Sequence, residues 1–591
     1  MSFCTFILAA STAFHAINIT SGNPDRVDFI ASEINRQHRT LGIESFAPSM
    51  QFHVRPELDA VVERNVAVWR AIRDRVDPGV KLGFLIQSSL GGMLGSSLRG
   101  ESGPPESWQR TEFLTGKAST RTCILEPKFL AYMKRAVKAM ARAKPAFILV
   151  DDDFSTRRNE CCCPLHLELV SKALGGKIDK GRFRDILEKS AYSDAEYVKA
   201  VDAIYGAFEN FAKELRASID EVDPALRCGF CSGGNMISGL KRTALALAGP
   251  GTEPFVRFCN AVYGPQEPYT IVHSVAVAER MRAFVDPVKD ILCEGDTCPH
   301  NAMSTPAVRF NASLANNALS GIGGAKLWMS DFKHDRFVDN QRRYEKIYGE
   351  WEGFRLELLR LAREGIRWRG IASVVFDPAL RIAPVKRDGG IDPWYEYSMM
   401  ILSPYAMPIR FARPGEGGVF AVSAGEAKML SKAEREELVK NPLILDPKCG
   451  EVFPERGEHT YVSEVSPSSP YYVRFSTVQR EKFKAAVDRL VGGVLEMSLE
   501  VDQPAFVRHG VLKDGREIVA VTMLSEDPLE ELPLRLCREP KAVEALGKNG
   551  KWSPVAFRRT APDMVTVAHA ARFYDPVALR FTFRETLSVK K

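Results

Sequence analysis

The sequence predicts an α/β fold: a (β/α)8 TIM barrel, then a small α/β domain, then a C-terminal β-sandwich. Three observations predict it. From Met1 to about Phe332, eight short apolar runs alternate with longer amphipathic stretches, the pattern of parallel strands joined by crossover helices. No G-x-G-x-x-G turn follows the first run in Ser11 to Gly22, which argues against a doubly wound sheet. Beyond about residue 470, turn signals such as Lys513-Asp514-Gly515 and Lys548-Asn549-Gly550 separate strand-like runs.

The eight runs are Phe3 to Ala9, Ile43 to Ala47, Lys81 to Ile86, Ala146 to Val150, Leu226 to Cys231, Phe255 to Cys259, Asp290 to Cys293 and Ala325 to Met329. Between them, Pro127 to Arg142 and Ala195 to Ile219 repeat apolar residues at intervals of three and four, which predicts helices. The apolar stretch Phe3 to Phe14 has no Lys or Arg before it and runs into a helical pattern, so it reads as the first strand rather than a signal peptide. Residues 333 to 384 form a helical bridge ending in the strand Ala372 to Phe376. The expected domains are therefore 1–384, 385–465 and 466–591.

With 591 residues, 45% of them hydrophobic and 26% charged, the chain belongs with multidomain globular proteins. Its charge of +6 is a small excess of basic over acidic residues spread along the chain, so nucleic acid is not an expected partner. No stretch approaches the ~20 apolar residues of a membrane span. The 12 Cys do not form a disulfide framework, which suits a reducing, cytoplasmic location. Cys228 and Cys231 lie on one predicted strand and must face opposite sides, which points to packing rather than redox work.

A barrel carries its chemistry at the C-terminal ends of its strands. There the sequence places Asp151-Asp152-Asp153 after strand four and Cys293-Glu294-Gly295-Asp296 at strand seven. Cleaving a glycosidic bond requires one carboxylic acid to protonate the leaving oxygen and a second carboxylate to attack the anomeric carbon or activate water. Crowding by Asp151 and Asp153 favours a protonated Asp152. An acidic triplet can also simply cap a loop, and the pairing with Glu294 is what favours the catalytic reading. Other rim candidates are Trp108 and Arg110 after strand three, Asn235 after strand five, Tyr263 after strand six, Asp296 and His300 beside Glu294, and Trp328 and Asp331 at strand eight. Aromatic faces stack on sugars, and Asp, Asn and Arg bind hydroxyls.

Strand four followed by Cys161-x-Cys163-x-x-His166, strand seven with Glu294, and the two following domains resemble the family 42 glycoside hydrolases, the β-galactosidase family of clan A. In that family an Asn-Glu pair supplies the acid/base, and a C-x-C-x-x-C cluster follows about nine residues later. Cys161 follows Asp152 by nine residues, so Asp151-Asp152 fall on the Asn-Glu positions and Glu294 on the nucleophile. The resemblance implies an exo-acting retaining β-glycosidase that needs no cofactor for catalysis. Asp-Asp in place of Asn-Glu shortens the acid by one methylene and loses the amide that contacts the sugar 2-hydroxyl. That departure leaves two alternatives open. One is an altered or inverting mechanism on another sugar, with carboxylates farther apart than the ~5–5.5 Å of retaining enzymes. The other is a noncatalytic glycan-binding protein.

Cys161, Cys163 and His166 have the spacing to chelate a structural zinc, with Cys123 as fourth ligand where the family places its own fourth Cys. The alternative is a metal-free buried cysteine cluster. The middle segment, with Val422-Ser423-Ala424-Gly425 and Leu430-Ser431-Lys432-Ala433-Glu434, resembles the amidotransferase-like domain of the same family. It lacks a nucleophile Cys, and the resemblance implies a noncatalytic role in assembling a homo-oligomer, most simply a trimer.

Overall fold

The computed structural model describes residues 14–51, 58–87, 106–111, 116–151, 154, 161–189, 194–232, 239–261, 268–298, 300, 304–329, 338–376, 398–451, 453, 459–463, 477–492 and 495–584. Its first part is a closed barrel of eight parallel strands. In chain order these are β1 (His15–Ser21), β2 (Ser45–Gln51), β3 (Phe84–Gln87, preceded by the short piece Lys81–Leu82), β4 (Phe147–Val150), β5 (Arg227–Cys231), β6 (Phe255–Arg257), β7 (Asp290–Asp296) and β8 (Gly324–Trp328). Neighbours pair in sequence. The barrel closes because β1 pairs with both β2, Ile17 opposite Ser45, and β8, His15 opposite Gly324.

The sequence placed the first strand at Phe3 to Ala9, which lies outside the described residues. The strand that closes the barrel is His15–Ser21, whose run Ala-Ile-Asn-Ile-Thr is buried throughout. Its Asn18 interrupts the apolar pattern and disguised it in the sequence. This residue is fully buried; its amide nitrogen donates to Gln37 of the helix Val27–Leu41 at 2.6 Å, while its Oδ1 has no hydrogen-bond partner among the described residues.

Strand alternation sorts each barrel residue to one of two faces. The inward set is a small cluster of Ile17, Ile19, Ala47, Leu85, Phe147, Leu149, Cys231, Phe255 and Leu292, with Trp328 packed on it. Bulky members are accommodated by Gly324, where a Cβ would lie 2.6 Å from Leu292 and 2.2 Å from the His15 carbonyl. The outward set, including Ile148, Val150, Phe230 and Ala325, joins the helices in the largest core. Cys228 belongs to that outer core and Cys231 to the barrel interior, so the two thiols do face opposite ways. The predicted helices at Pro127–Arg142 and Ala195–Asp220 both pack on this outer core.

Beyond the barrel come the expected α/β unit and β-sandwich, and two strands before residue 384 join their sheets. Helices Val338–Glu350 and Glu352–Glu364 lead to Ile366–Arg369, which pairs with Ala505–Leu512 as the edge of a six-stranded antiparallel sheet. After Gly370, the next strand, Ile371–Val374, enters a five-stranded parallel sheet between Ile409–Ala412 and Phe420–Val422. Both strands lie within 1–384, the span expected to hold the barrel and its helical bridge. Their partners lie far along the chain, and local pattern cannot reveal such pairing. The parallel sheet continues through Leu443–Leu445 and Thr460–Val462. Its two short helices start on Ser423 and Ser431, each forming a reciprocal capping box with the Glu three residues on. Cys449 is buried there with its thiol directed to the Val422 carbonyl.

The six-stranded sheet faces a four-stranded sheet across a core of Leu499, Val507, Val519, Val521, Leu534, Val567 and Leu579, which makes the C-terminal part a β-sandwich. Among the described residues, no helix is long and apolar enough to cross a membrane.

Candidate functional site

Moving toward the C-terminal ends of the strands, the barrel interior changes from apolar to charged. On β7 the inward column reads Leu292, Glu294, Asp296; on β8 it reads Gly324, Lys326, Trp328; on β6 Phe255 is followed by Arg257; past β4, Leu149 is followed by Asp151. The upper layer is thus charged, and it is buried: Asp151, Arg257, Glu294 and Lys326 are each at most 3% exposed.

Charges at that depth survive only when paired. Lys326 Nζ donates to Asp151 Oδ1 at 2.9 Å, Arg257 reaches the same oxygen at 3.4 Å, and Gln87 Nε2 donates to Asp151 Oδ2 at 2.9 Å. Gln87 in turn accepts from Ser49 of β2. Arg257 lies 2.9 Å from Glu294 Oε2, which also accepts from the Ala261 amide at 3.1 Å. The Asn260 side chain accepts the Glu294 amide at 2.9 Å and is itself fixed by donating to Asn317, also at 2.9 Å. Two cations and two carboxylates therefore form one neutral layer contributed by β4, β6, β7 and β8. Burial alone would raise Asp151, yet Lys326 and Arg257 outweigh it and hold the carboxyl down at about 2.

Above this layer sit Asp296 and Trp328, opposite each other in the β7–β8 register and both half-buried. Burial pushes Asp296 up to about 6, only partly opposed by Lys326, although it accepts the Cys298 amide at 2.7 Å. Trp328 lies over Lys326 at 5.8 Å and beside His300 at 5.9 Å. His300 adopts φ 60° and its Nδ1 lies 2.9 Å from Thr297 Oγ1, which donates to the Trp328 carbonyl at 2.8 Å. Those contacts fix the aromatic ring at the rim.

The structure thus brings Asp151, Glu294, Asp296, His300 and Trp328 to one mouth. Asp152, Asp153, Asn235, Tyr263 and Asp331 lie outside the described residues. Trp108 and Arg110 do not line the mouth as expected. Trp108 is buried in the outer core against Phe129 and Tyr132, and Arg110 is 2% exposed and donates to the Thr122 carbonyl at 2.8 Å within a hairpin. A large aromatic on a long loop gains more from burial than from display. Asp151 also differs from its expected role as a sugar ligand, because both its oxygens are already bonded to protein groups. Sequence reading missed Arg257, Lys326 and Gln87. The available signal was a charged or amide residue two positions beyond an apolar inward residue on a barrel strand.

The hairpin Gln109–Thr111/Ala118–Thr122 carries Cys123 toward the loop after β4. Cys123, Cys161, Cys163 and His166 are buried with their ligand atoms all within 4.8 Å of one another. Cys123 and Cys163 sulfurs are 3.7 Å apart, and His166 Nδ1 lies 3.5 Å and 3.4 Å from them. A tetrahedral zinc with bonds of ~2.3 Å to sulfur and ~2.0–2.1 Å to nitrogen needs edges of roughly 3.8 Å between sulfurs and roughly 3.5 Å from sulfur to nitrogen. The donor set suits that ion, and the three edges among Cys123, Cys163 and His166 match its dimensions. Cys162 turns away, into the outer core, with its thiol on the Thr111 carbonyl at 3.4 Å.

These features define a TIM-barrel protein with a charged, partly aromatic mouth. Among solved structures, an alpha-L-fucosidase isoenzyme 2 from Paenibacillus thiaminolyticus aligns with a TM-score of 0.57 over 97% of this chain and 100% of its own, at 12% identity. A beta-galactosidase from the psychrophilic Marinomonas ef1 aligns with a TM-score of 0.48 over 94% of this chain and 100% of its own, at 9% identity. At 12% identity the likeness to the fucosidase is one of fold. No protein-family model and no curated protein sequence matches the chain.

Proposed function

We propose that the protein is a glycoside hydrolase acting on a carbohydrate at the C-terminal mouth of the barrel. The observation that carries this reading is the inward column of β7, which sets Glu294 and then Asp296 above an apolar barrel interior, beside a rim tryptophan. In the retaining version Glu294 is the nucleophile and Asp152, next in chain to the anchored Asp151, the acid/base. This resembles the family 42 arrangement, with Asp151-Asp152 in place of its Asn-Glu pair, and its simplest form is an exo-acting, β-galactosidase-like activity. Arg257 and the Ala261 amide orient the Glu294 carboxylate. Trp328 offers a face on which a sugar ring can stack.

A second assignment is favoured by the raised proton affinity of Asp296, at about 6. A carboxyl that keeps its proton near neutrality is suited to protonating a leaving oxygen, and here Asp296 replaces Asp152 as the acid. Whether the mechanism retains or inverts depends on which pair works. The Cys123, Cys161, Cys163 and His166 cluster would hold a structural zinc that ties the hairpin after β3 to the loop carrying the acidic triplet.

The test is a panel of aryl glycosides assayed with the wild type, Glu294→Ala, Asp152→Ala and Asp296→Asn. Loss of turnover in Glu294→Ala, with partial rescue by azide and a glycosyl azide of inverted configuration, supports the nucleophile. The acid is whichever variant loses most on poor leaving groups and least on activated ones. Wild-type protein that binds glycans and turns over none of the panel would favour the noncatalytic reading.

A further inference from the structure

Between the sandwich and the parallel sheet lies a cleft of about 970 Å³, away from the barrel mouth. One wall is the strand Ile366–Arg369. The opposite wall is Arg410 and Phe411 with the turn Glu416–Val419, and the end of the helix Thr477–Leu490 closes a third side. Trp368 in the first wall packs under Arg508 at 3.8 Å, and Arg508 pairs at 3.0 Å with Glu279, in the second half of the helix that leads to the start of β7. The cleft therefore sits toward the end of the barrel where strands begin, opposite the mouth.

Its distinguishing chemistry is an excess of positive charge, three arginines against the two carboxylates Glu416 and Glu496. Arg367 and Arg369 are two residues apart on one strand and project to the same side. Arg367 is exposed and makes no side-chain hydrogen bond or ion pair among the described residues. Arg369 has one 3.5 Å contact, to the half-exposed Glu496, and its buried Nε has no hydrogen-bond partner. Arg410 is held by the backbone alone, donating to the Gly370 carbonyl at 3.3 Å and to the Gly417 carbonyl, with no carboxylate at ion-pair distance among the described residues. Gly418, at φ +99°, makes that placement possible, since a Cβ there would lie 2.4 Å from the guanidinium. Burial, and then the like charge of Arg369, work against the Arg410 cation, while Glu416 only partly offsets them. Phe411 and Val491, the latter 38% exposed, add apolar surface to the same cleft.

We propose that this cleft binds the oxyanion of a small acidic sugar, a carboxylate, sulfate or phosphate group chelated by the guanidinium groups while the ring lies against Phe411 and Val491. Guanidinium is the side chain whose planar fork matches such oxyanions, and a volume of this size accommodates a sugar of one or two rings. The proposal is independent of the chemistry assigned to the barrel.

The experiment is isothermal titration of the full chain with glucuronate, glucose 6-sulfate, glucose 6-phosphate, inorganic phosphate and glucose, repeated with Arg367→Gln/Arg369→Gln and with Arg367→Glu. At least one acidic sugar should bind, glucose should not, and binding should weaken with added salt. The double variant should lose roughly tenfold or more in affinity, the loss of a charged hydrogen-bonding group. Which acidic sugar binds identifies the anion. Arg367→Glu, at an exposed position, should abolish binding even if the double variant folds poorly, and neither change should alter aryl glycoside turnover. Failure of every acidic sugar to bind, equal binding of glucose, binding of inorganic phosphate alone, or unchanged affinity in Arg367→Glu overturns the proposal.

Discussion

Lys326 and Asp151 meet at 2.9 Å across the barrel, one from β8 and the other from just past β4, strands four places apart in a ring of eight. The pair spans the interior rather than joining neighbours, and Arg257 links it to Glu294. Removing one partner of such a buried set costs more than the pair itself contributes, because a charge is left behind. Lys326→Met should destabilise the fold by about 3 kcal/mol in urea unfolding. Lys326→Met/Asp151→Leu should recover part of that loss, so a double-mutant cycle reads the coupling directly.

Asp151 and Asp296 should pull stability in opposite directions with pH. Asp151, held at about 2 against an ordinary 3.8, stabilises the fold above the ordinary value, and that contribution is lost as pH falls toward 2. Asp296, raised to about 6, binds its proton more tightly in the folded state, so stability falls as pH rises from 3.8 to 6 and stays lower beyond. Asp296→Asn should therefore be more stable than wild type at pH 7, by about 1–2 kcal/mol, and equal to it near pH 3.8. Urea midpoints at the two pH values check this.

If Asp296 delivers the proton, turnover of substrates with poor leaving groups should fall as pH rises through about 6. Asp296→Asn should remove that limb of the profile. Should the limb persist in Asp296→Asn and vanish in Asp152→Ala, the acid is Asp152.

Protein purified without chelator should contain close to one zinc per chain by elemental analysis, bound by Cys123, Cys161, Cys163 and His166. Cys163→Ala should lose the metal and lower the melting temperature. Metal-free wild type of unchanged stability would refute the structural zinc.

Light scattering at micromolar concentration should give an oligomer, most simply a trimer, as the resemblance of the middle domain implies. A monomer would remove assembly as that domain's role.

The barrel was legible because alternation of apolar runs and amphipathic helices is a local property, and seven of its eight strands lie where their apolar runs are. The first was not, because Asn18 breaks its apolar run, and its one side-chain hydrogen bond, to Gln37 on a separate helix, depends on packing that local pattern does not show. Glu294 and Asp151 were visible as carboxylates at strand ends. Their partners Arg257 and Lys326 were not, since each is one charged residue in an apolar strand whose meaning depends on what stands across the barrel. Trp108 failed in the other direction: a rim position in sequence became core once the helix Pro127–Arg142 covered it.

Gly370 separates two strands that belong to different sheets, Ile366–Arg369 in the sandwich and Ile371–Val374 in the parallel sheet. This has a consequence for synthesis on the ribosome. The parallel sheet can assemble as soon as its last strand emerges, but Ile366–Arg369 must wait for Ala505–Leu512, with its backbone groups unpaired in the meantime. Arg367 and Arg369, whose charge discourages another chain from pairing there, guard that nascent edge.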